Sequence, residues 1–487
     1  MMLAAMLLAA VPHIAVILVD DLDVGTTWQM RLAGSLPAID SLAVGGVRFD
    51  RAVVTNSVCA PSRATLMTGR YSHNTGVNCN SPTCADGSSG GVGAFDHSNT
   101  LATWLQAAGY RTGHFGKWIN GYGDNAGAAP TSPRNPAYVP PGWTTWQALI
   151  DPTTYYSYGY RINVDGQAVQ YGSTAADHQT RVVAGRAAAW IAVNRSAAPL
   201  FVLVAPVAPH FTGDFLIGPI EQGYSNTWDA APLPDLRDAT LHPSAWASSS
   251  SLPFWPSFKP TFNVPSPLVS LARPLMRSQD VAQAAAQYRL RALAMIAVDD
   301  AVAQVIAAFG TDPAWIIFTS DNGYQLGERA LGNKMTAFNE AIRVPLFVRG
   351  PGVVAGSRAE IVTNNDLAPT IAELAGATPA LTVDGRSLGP LLRGESVPWR
   401  TATLIEHRQI PAAVYDFPRY DAVHTDTRRL YVDWPETAEC ELYDGTSDPW
   451  QASNVCAARP VEVASLQARL VALKECAGAA CSVAEGE

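Results

Sequence analysis

The chain has 487 residues, enough for a large core and, by length alone, for two or three domains. Apolar residues make up 48% and charged ones 15%, which excludes a disordered chain. The formal net charge of −9 argues against a nucleic-acid binder, so an anionic small substrate would need a local basic cleft.

Residues 1–10, "MMLAAMLLAA", read as a signal-peptide remnant ending near Ala10, although the usual basic start is missing. "HIAVILVDD" is too short to cross a membrane and reads as a buried strand ending in acids. No other stretch is expected to span a bilayer. "SLPAIDSLAVGG" predicts a helix, "VRFDRAVV" a strand, and "PSRATLMTG" a helix opening at Pro61 and stopping at Gly69. The helix "SNTLATWLQAAGY" leads to the strand "RTGHFGKW". The helix "TRVVAGRAAAWIAVN" leads to the buried strand "PLFVLVAPVAPH". Residues 213–275, rich in Pro, Ser and Trp, read as a long ordered insertion near the site. A long helix, "QAAAQYRLRALAMIAVDDAVAQVIAAFG", then precedes the strand "AWIIFTSDNG".

Continuously apolar strands alternating with helices predict an α/β fold, with a mostly parallel sheet covered on both faces and a site beyond the strands' carboxyl ends. Residues 11–395 read as that large domain. From about residue 396 the pattern changes to "TATLIEH", "RRLYVDW", "CELYDG" and a last helix. That predicts a small C-terminal α+β domain over 396–487, with an antiparallel sheet.

Of the seven cysteines, six form near-neighbour couples, 79/84, 440/456 and 476/481. This fits disulfides made in an oxidising compartment, and hence a secreted, periplasmic or otherwise extracytoplasmic protein. Cys59 is left over. At a helix N-terminus, backbone N–H groups and the helix dipole favour an anion and activate a thiol, though a buried inert thiol fits the position equally well.

Three strands end in polar residues: Asp20 and Asp21, His210, and Asp321 and Asn322. A single acidic pair is more often a cap or a turn than a ligand. The two acidic strand-end clusters together make an all-oxygen set suited to Ca²⁺ or, less well, Mg²⁺. The 33 basic residues include only four lysines, Lys117, Lys259, Lys334 and Lys474.

C-x-P-S-R at Cys59–Arg63, followed by A-x-x-x-T-G-R, resembles the signature of the type I, formylglycine-dependent sulfatases. The resemblance runs over nearly the whole chain, through "VILVDDLD", "GYRTGHFGKW", "APH", "TSDNGYQLGE", "GNK" and "ELYDGTSDPWQASN". It implies an alkaline-phosphatase-like fold and hydrolysis of sulfate monoesters. It also implies that Cys59 is oxidised to formylglycine by a formylglycine-generating enzyme. In that scheme Asp20, Asp21, Asp321, Asn322 and the oxygen at position 59 bind Ca²⁺, and Arg63 holds the hydrated aldehyde. Lys117, His210 and Lys334 bind sulfate oxygens or assist the leaving group, with Lys334 and His210 both candidates for the acid. One hydroxyl of the hydrate attacks sulfur, and the other then loses its proton and expels sulfate.

Many sulfatases carry histidine after G-K-W, whereas this chain reads Gly116-Lys117-Trp118-Ile119-Asn120. The G-K-x-x-N pattern resembles the N-acetylglucosamine-6-sulfatase branch, with Asn120 as a substitute substrate contact. The acidic net charge favours a small or terminal sulfated sugar, or an aryl sulfate, over a long sulfated polymer. Two alternatives stand beside it: a phosphonate monoester or phosphodiester hydrolase of the same superfamily, and a non-catalytic binder of sulfated glycans if Cys59 stays a thiol. His73 is expected to be a solvated turn histidine and His114 a packed core residue. Glu328 is expected either close behind the metal segment or on a surface loop. Asn194-Arg195-Ser196 is a glycosylation sequon.

Overall fold

The computed structural model describes residues 11–210, 278–408 and 417–486. The N-terminal leader and the insertion expected over 213–275 lie outside the described residues.

A ten-stranded sheet forms the body of the molecule. Its central strands are Ala314–Ser320, His13–Val19, Leu200–Ala205, Arg111–Gly116 and Thr145–Leu149, all parallel to one another. On one side Leu346–Arg349 adds antiparallel to Ala314–Ser320 and is followed by Val47–Phe49 and Gly356–Arg358. On the other, Arg161–Val164 and Gln167–Gln170 complete an antiparallel edge.

Alternation along His13–Val19 builds the two layers. Ile14, Val16 and Leu18 face a core shared with Ala60, Ala64 and Met67 of the helix Cys59–Thr68. Ala15, Ile17 and Val19 face the opposite core, with Val183, Ala187 and Ile191 of the helix Gln179–Asn194 and with the helix Ser278–Phe309. Contrary to the sequence expectation, Leu290–Phe309 is long and apolar enough to cross a membrane. Its apolar residues instead pack on the sheet, and Asp299 accepts from the backbone N–H groups of Ala38 and Ile39 at 3.0 and 2.8 Å, capping the helix Pro37–Gly45.

The "VRFDRAVV" run is two short strands, Val47–Phe49 and Ala52–Val53, and not one. The C-terminal sheet is antiparallel, in the order Ala402–His407, Tyr420–Thr425, Arg429–Trp434, Glu439–Asp444. Its second strand, Tyr420–Thr425, has no counterpart among the strands expected from sequence. One face packs on the helix Pro460–Glu475, and the other carries Ile405, Ala422, Val432 and Trp434 into the main core. Disulfides join Cys79–Cys84, Cys440–Cys456 and Cys476–Cys481, leaving Cys59 free and buried.

Folding of the C-terminal segment over the main body corrects the expectation for His73. Its side chain is only 17% exposed, with Nδ1 at 3.1 Å from Glu406 Oε1 and Nε2 at 3.1 Å from the Cys476 carbonyl. His114 is a core residue, its ring stacked on Trp146 with centroids 4.5 Å apart. The sequon asparagine, Asn194, is buried and donates to the Trp190 carbonyl at 2.7 Å, so it is closed to a glycan.

Candidate active site

The site is assembled by turns at strand ends. Asp20 and Asp21 follow His13–Val19, and Asp321 and Asn322 follow the neighbouring strand Ala314–Ser320. Parallel pairing of these strands in register, Val19 opposite Ser320, brings residues 300 apart in sequence side by side. Asp21 sits at φ 61°, and Asn333 and Met335, which flank Lys334, sit at 77° and 73°. Non-glycine residues are strained there, and such strain concentrates at functional sites.

The helix Cys59–Thr68 begins at the cysteine itself, two residues before the expected start, with Val58 as its N-cap. The helix is buried throughout, so Cys59 is held from both sides. Its Sγ accepts from Lys334 Nζ at 2.8 Å and lies 3.5 Å from Asp20 Oδ1. Burial, then the Asp20 charge, push the Cys59 thiol up to about 12. The loss of water and the carboxylates thus outweigh the pull of Lys117 and Lys334 on this thiol.

Lys117 Nζ donates to Asp20 Oδ2 at 2.6 Å, and Lys334 Nζ donates to Asp21 Oδ1. Burial works against the charge of each lysine, but Asp20 and Asp21 outweigh it and hold both above the ordinary lysine value. Burial likewise opposes ionisation of Asp20 and Asp21, and the facing cations hold both below the ordinary carboxylate range. Arg63 gives Nε to Asp321 Oδ2 at 2.8 Å and Nη1 to the Lys117 carbonyl at 2.8 Å, while its buried Nη2 has no hydrogen-bond partner. Asp321 Oδ1 accepts from the Asp21 backbone N–H at 3.2 Å. His210 Nε2 lies 3.4 Å from Asp21 Oδ2, and burial holds the ring below the ordinary histidine value.

Lys117 depends on a glycine. Gly116 has φ 112°, and a Cβ there would stand 2.1 Å from the Ala205 carbonyl oxygen. Only glycine lets the strand end close enough to its neighbour to aim the lysine inward.

Ligand atoms of Asp20, Asp21, Cys59 and His210 all lie within 4.8 Å of one another. Among the described residues, Asp21 Oδ2 and Asn322 Oδ1 are buried oxygens without a hydrogen-bond partner, which suits a hard cation. The donors present therefore fit a divalent metal. Asn322 lies beside them, its Nδ2 donating to Asp21 Oδ1 at 2.6 Å, whereas the Asp321 carboxylate is turned toward Arg63.

Tyr155 is the residue that sequence reasoning passed over. Lys117 Nζ lies 4.7 Å from its ring centroid, the His210 ring 4.6 Å away, and its hydroxyl accepts from Asn120 Nδ2 at 2.7 Å. Asn120 therefore joins the cluster through Tyr155. Tyrosines are frequent in "YYSYGY", and nothing local singles this one out. Glu328 is buried and accepts from the Leu326 N–H at 2.6 Å. Burial, then the nearby Glu340, push its carboxyl up to about 8. It thus braces the hairpin Gln325–Leu326/Gly332–Asn333 that leads to Lys334 and is not a surface acid.

A buried acidic cluster faced by two lysines and an arginine, beyond the carboxyl ends of parallel strands, is the setting of a hydrolase site for an anionic ester. Comparison gives the family. The model described as "Sulfatase" matches residues 12–377, and "N-sulphoglucosamine sulphohydrolase, C-terminal" matches residues 327–475. The chain belongs to the sulfatase family and is a sulfuric ester hydrolase.

It is 28% identical to the N-acetylglucosamine-6-sulfatase of Homo sapiens, over 96% of this chain and 86% of that protein. It is 32% identical to an extracellular sulfatase SULF-1 homolog of Drosophila melanogaster over 81% of this chain, and spans about a third (33%) of that longer protein. Among solved structures, it resembles a protein in complex with its substrate D-glucosamine-2-N,6-O-disulfate, at TM-score 0.68 and 22% identity, covering 94% of this chain and 97% of that one. The phosphonate monoester hydrolase of Agrobacterium radiobacter matches at TM-score 0.66 and 21% identity, covering 95% of each chain. At these identities the structural likeness is one of fold.

Proposed function

We propose that this protein removes sulfate from a small sulfated sugar of the N-acetylglucosamine-6-sulfate class, with Cys59 converted to formylglycine as nucleophile and Ca²⁺ as the resident metal. The observation carrying this reading is the setting of Cys59. It is the first residue of a buried helix, with an ammonium group at 2.8 Å on one side and the acid cluster on the other. The sugar class rests on the relatives' names and on the Asn120 pattern. A formylglycine-generating enzyme is the partner required for maturation. Three disulfides agree with an extracytoplasmic location.

Asp20, Asp21, Asn322 and the atom at position 59 would hold the cation, with Asp321 alongside. Once bound, it would neutralise Asp20 and Asp21, release the positive charge of the lysines for sulfate oxygens, and polarise the nucleophile. Arg63 braces Asp321 and keeps Nη2 available to the group at position 59. Lys117 and Lys334, fixed in a dry pocket, offset the charge that develops on the sulfuryl oxygens and gain strength from the exclusion of water. Tyr155 holds Lys117, His210 and Asn120 in one wall. His210 and Lys334 are the groups placed to protonate the departing alcohol.

The test is paired. Mass analysis of the Cys59 peptide, from a host that makes formylglycine, is expected to show the aldehyde. Sulfate release from N-acetylglucosamine-6-sulfate is expected to exceed hydrolysis of a phosphate diester or phosphonate monoester. An unmodified, fully active thiol would overturn the nucleophile. Faster phosphorus-ester turnover would overturn the substrate class.

A further inference from the structure

Where the C-terminal sheet meets the main body there is a second cationic cleft of about 300 Å³. Arg51, Arg343, Arg428 and His424 line it, and none of its lining residues belongs to the cluster around Cys59. Among the described residues, no carboxylate pairs with any of the three arginines. Arg51 spends its guanidinium on the Asp426 and Thr425 carbonyls at 2.7 and 2.6 Å, and Arg343 gives Nη2 to the Asp50 carbonyl at 2.8 Å. The single acid lining the cleft, Asp50, is already held by Arg48 at 2.6 Å. Burial, then the neighbouring Arg428, lower the basicity of Arg51 against the pull of Asp426; burial also lowers that of Arg343, with Glu340 and Asp50 opposing it and Arg428 adding to it.

Two further observations point to a ligand. His424 is only 7% exposed, and its Nδ1 has no hydrogen-bond partner among the described residues. Burial, then the flanking Arg51 and Arg343, push the ring down to about 3, and a neutral ring offers an anion its one N–H when the proton is on Nδ1. Arg428 sits at φ 62° in the turn between Tyr420–Thr425 and Arg429–Trp434, a conformation suited to glycine. It is pinned there because Gly445 N–H donates to its carbonyl at 2.8 Å. The turn thus holds a long cation at the cleft at some cost in backbone strain. Asp426, Glu340 and Asp50 act on these guanidiniums only from a distance, so the guanidiniums still repel one another, and an oxyanion among them relieves this through charge-assisted hydrogen bonds.

We propose that this cleft is a second anion site, taking sulfate or phosphate either as the free ion or as the ester group of a single sugar. Its volume, at the low end for small-molecule sites, accommodates a tetrahedral ion with one ring. The site goes beyond the reading at Cys59 and does not depend on it.

The test is calorimetric titration of the full chain with inorganic sulfate and, separately, inorganic phosphate, in wild type, Arg428→Gly and Arg51→Met. The expected result is an Arg428-dependent binding event, weakened at least tenfold (on the order of 1.4 kcal/mol) in both variants. Arg428→Gly relieves the positive φ, so its melting temperature without anion should not fall, and lost binding cannot then be ascribed to unfolding. Identical isotherms in all three proteins would overturn the proposal. Glucosamine 6-sulfate separates the sources: tighter binding than inorganic sulfate at the Arg428-dependent site assigns the ester, and weaker binding assigns the free ion.

Discussion

His73 ties the stability of the molecule to pH in a way that can be worked through. Both of its ring nitrogens face acceptors, Nδ1 the Glu406 carboxylate at 3.1 Å and Nε2 the Cys476 carbonyl at 3.1 Å. Only the imidazolium donates from both nitrogens. Burial opposes the charge, but the hydrogen bond and the charge of Glu406 outweigh it and raise the folded value from 6.5 to about 9. At about 1.36 kcal/mol for each tenfold change, that rise is worth at most about 3–4 kcal/mol. Because the folded value is raised, the contribution is fully present below pH 6.5 and is lost as pH climbs through about 9. Substituting His73→Gln removes the titrating charge while keeping a donor. Melting temperatures of the two proteins, with disulfides intact, should differ by several degrees at pH 6 and converge by about pH 10. A difference that stays constant across that range would refute the reasoning, because it would mean that His73 packs as a neutral ring.

The other expectations concern the site and its frame. Cys59→Ala should abolish turnover while shifting the melting temperature by no more than about 2 °C, since it deletes one buried atom; retained turnover would contradict the covalent route. Gly116→Ala should destabilise by about 3 kcal/mol or more, or fail to fold, because the new Cβ meets the Ala205 carbonyl at 2.1 Å; wild-type thermal stability would contradict the close approach. Lys334→Ala and His210→Asn should each lower kcat by about 10²–10⁴ if that residue acts as the acid. The loss should then be larger for a sugar sulfate than for nitrophenyl sulfate, whose leaving group needs no proton, and equal losses on both esters would assign the residue to sulfate binding. Prolonged chelation should cut activity, with recovery on adding Ca²⁺ in preference to Zn²⁺.

Much of the architecture was legible in one dimension. Runs such as "IAVILV" and "FVLV" are apolar at every position, which a strand tolerates only when both faces are covered, so the α/β layering followed from the residues themselves. The pairing of six cysteines was legible because short loops leave few other partners, and Cys59 stood out by remainder. The acids at strand ends, the C-x-P-S-R stretch and the lysine after Gly116 were legible because backbone geometry and motif spacing are local properties.

What sequence could not supply is everything that depends on which elements become neighbours. The strand Tyr420–Thr425 was missed because its alternation, "YDAVHT", includes buried Asp421 and His424 that only the surrounding arginines and packing make tolerable. Tyr155 joined the site because the loop after Thr145–Leu149 folds back under Lys117 and His210, a contact with no local signature. His73 looked like a solvent-side residue and Glu328 was open between a place behind the metal segment and a surface loop; both are buried because distant segments close over them. The sequence by itself determined which acidic and basic residues stand at which strand ends. Tertiary structure alone decided their charge states and partners, because burial and Coulomb interactions act through space between residues hundreds of positions apart.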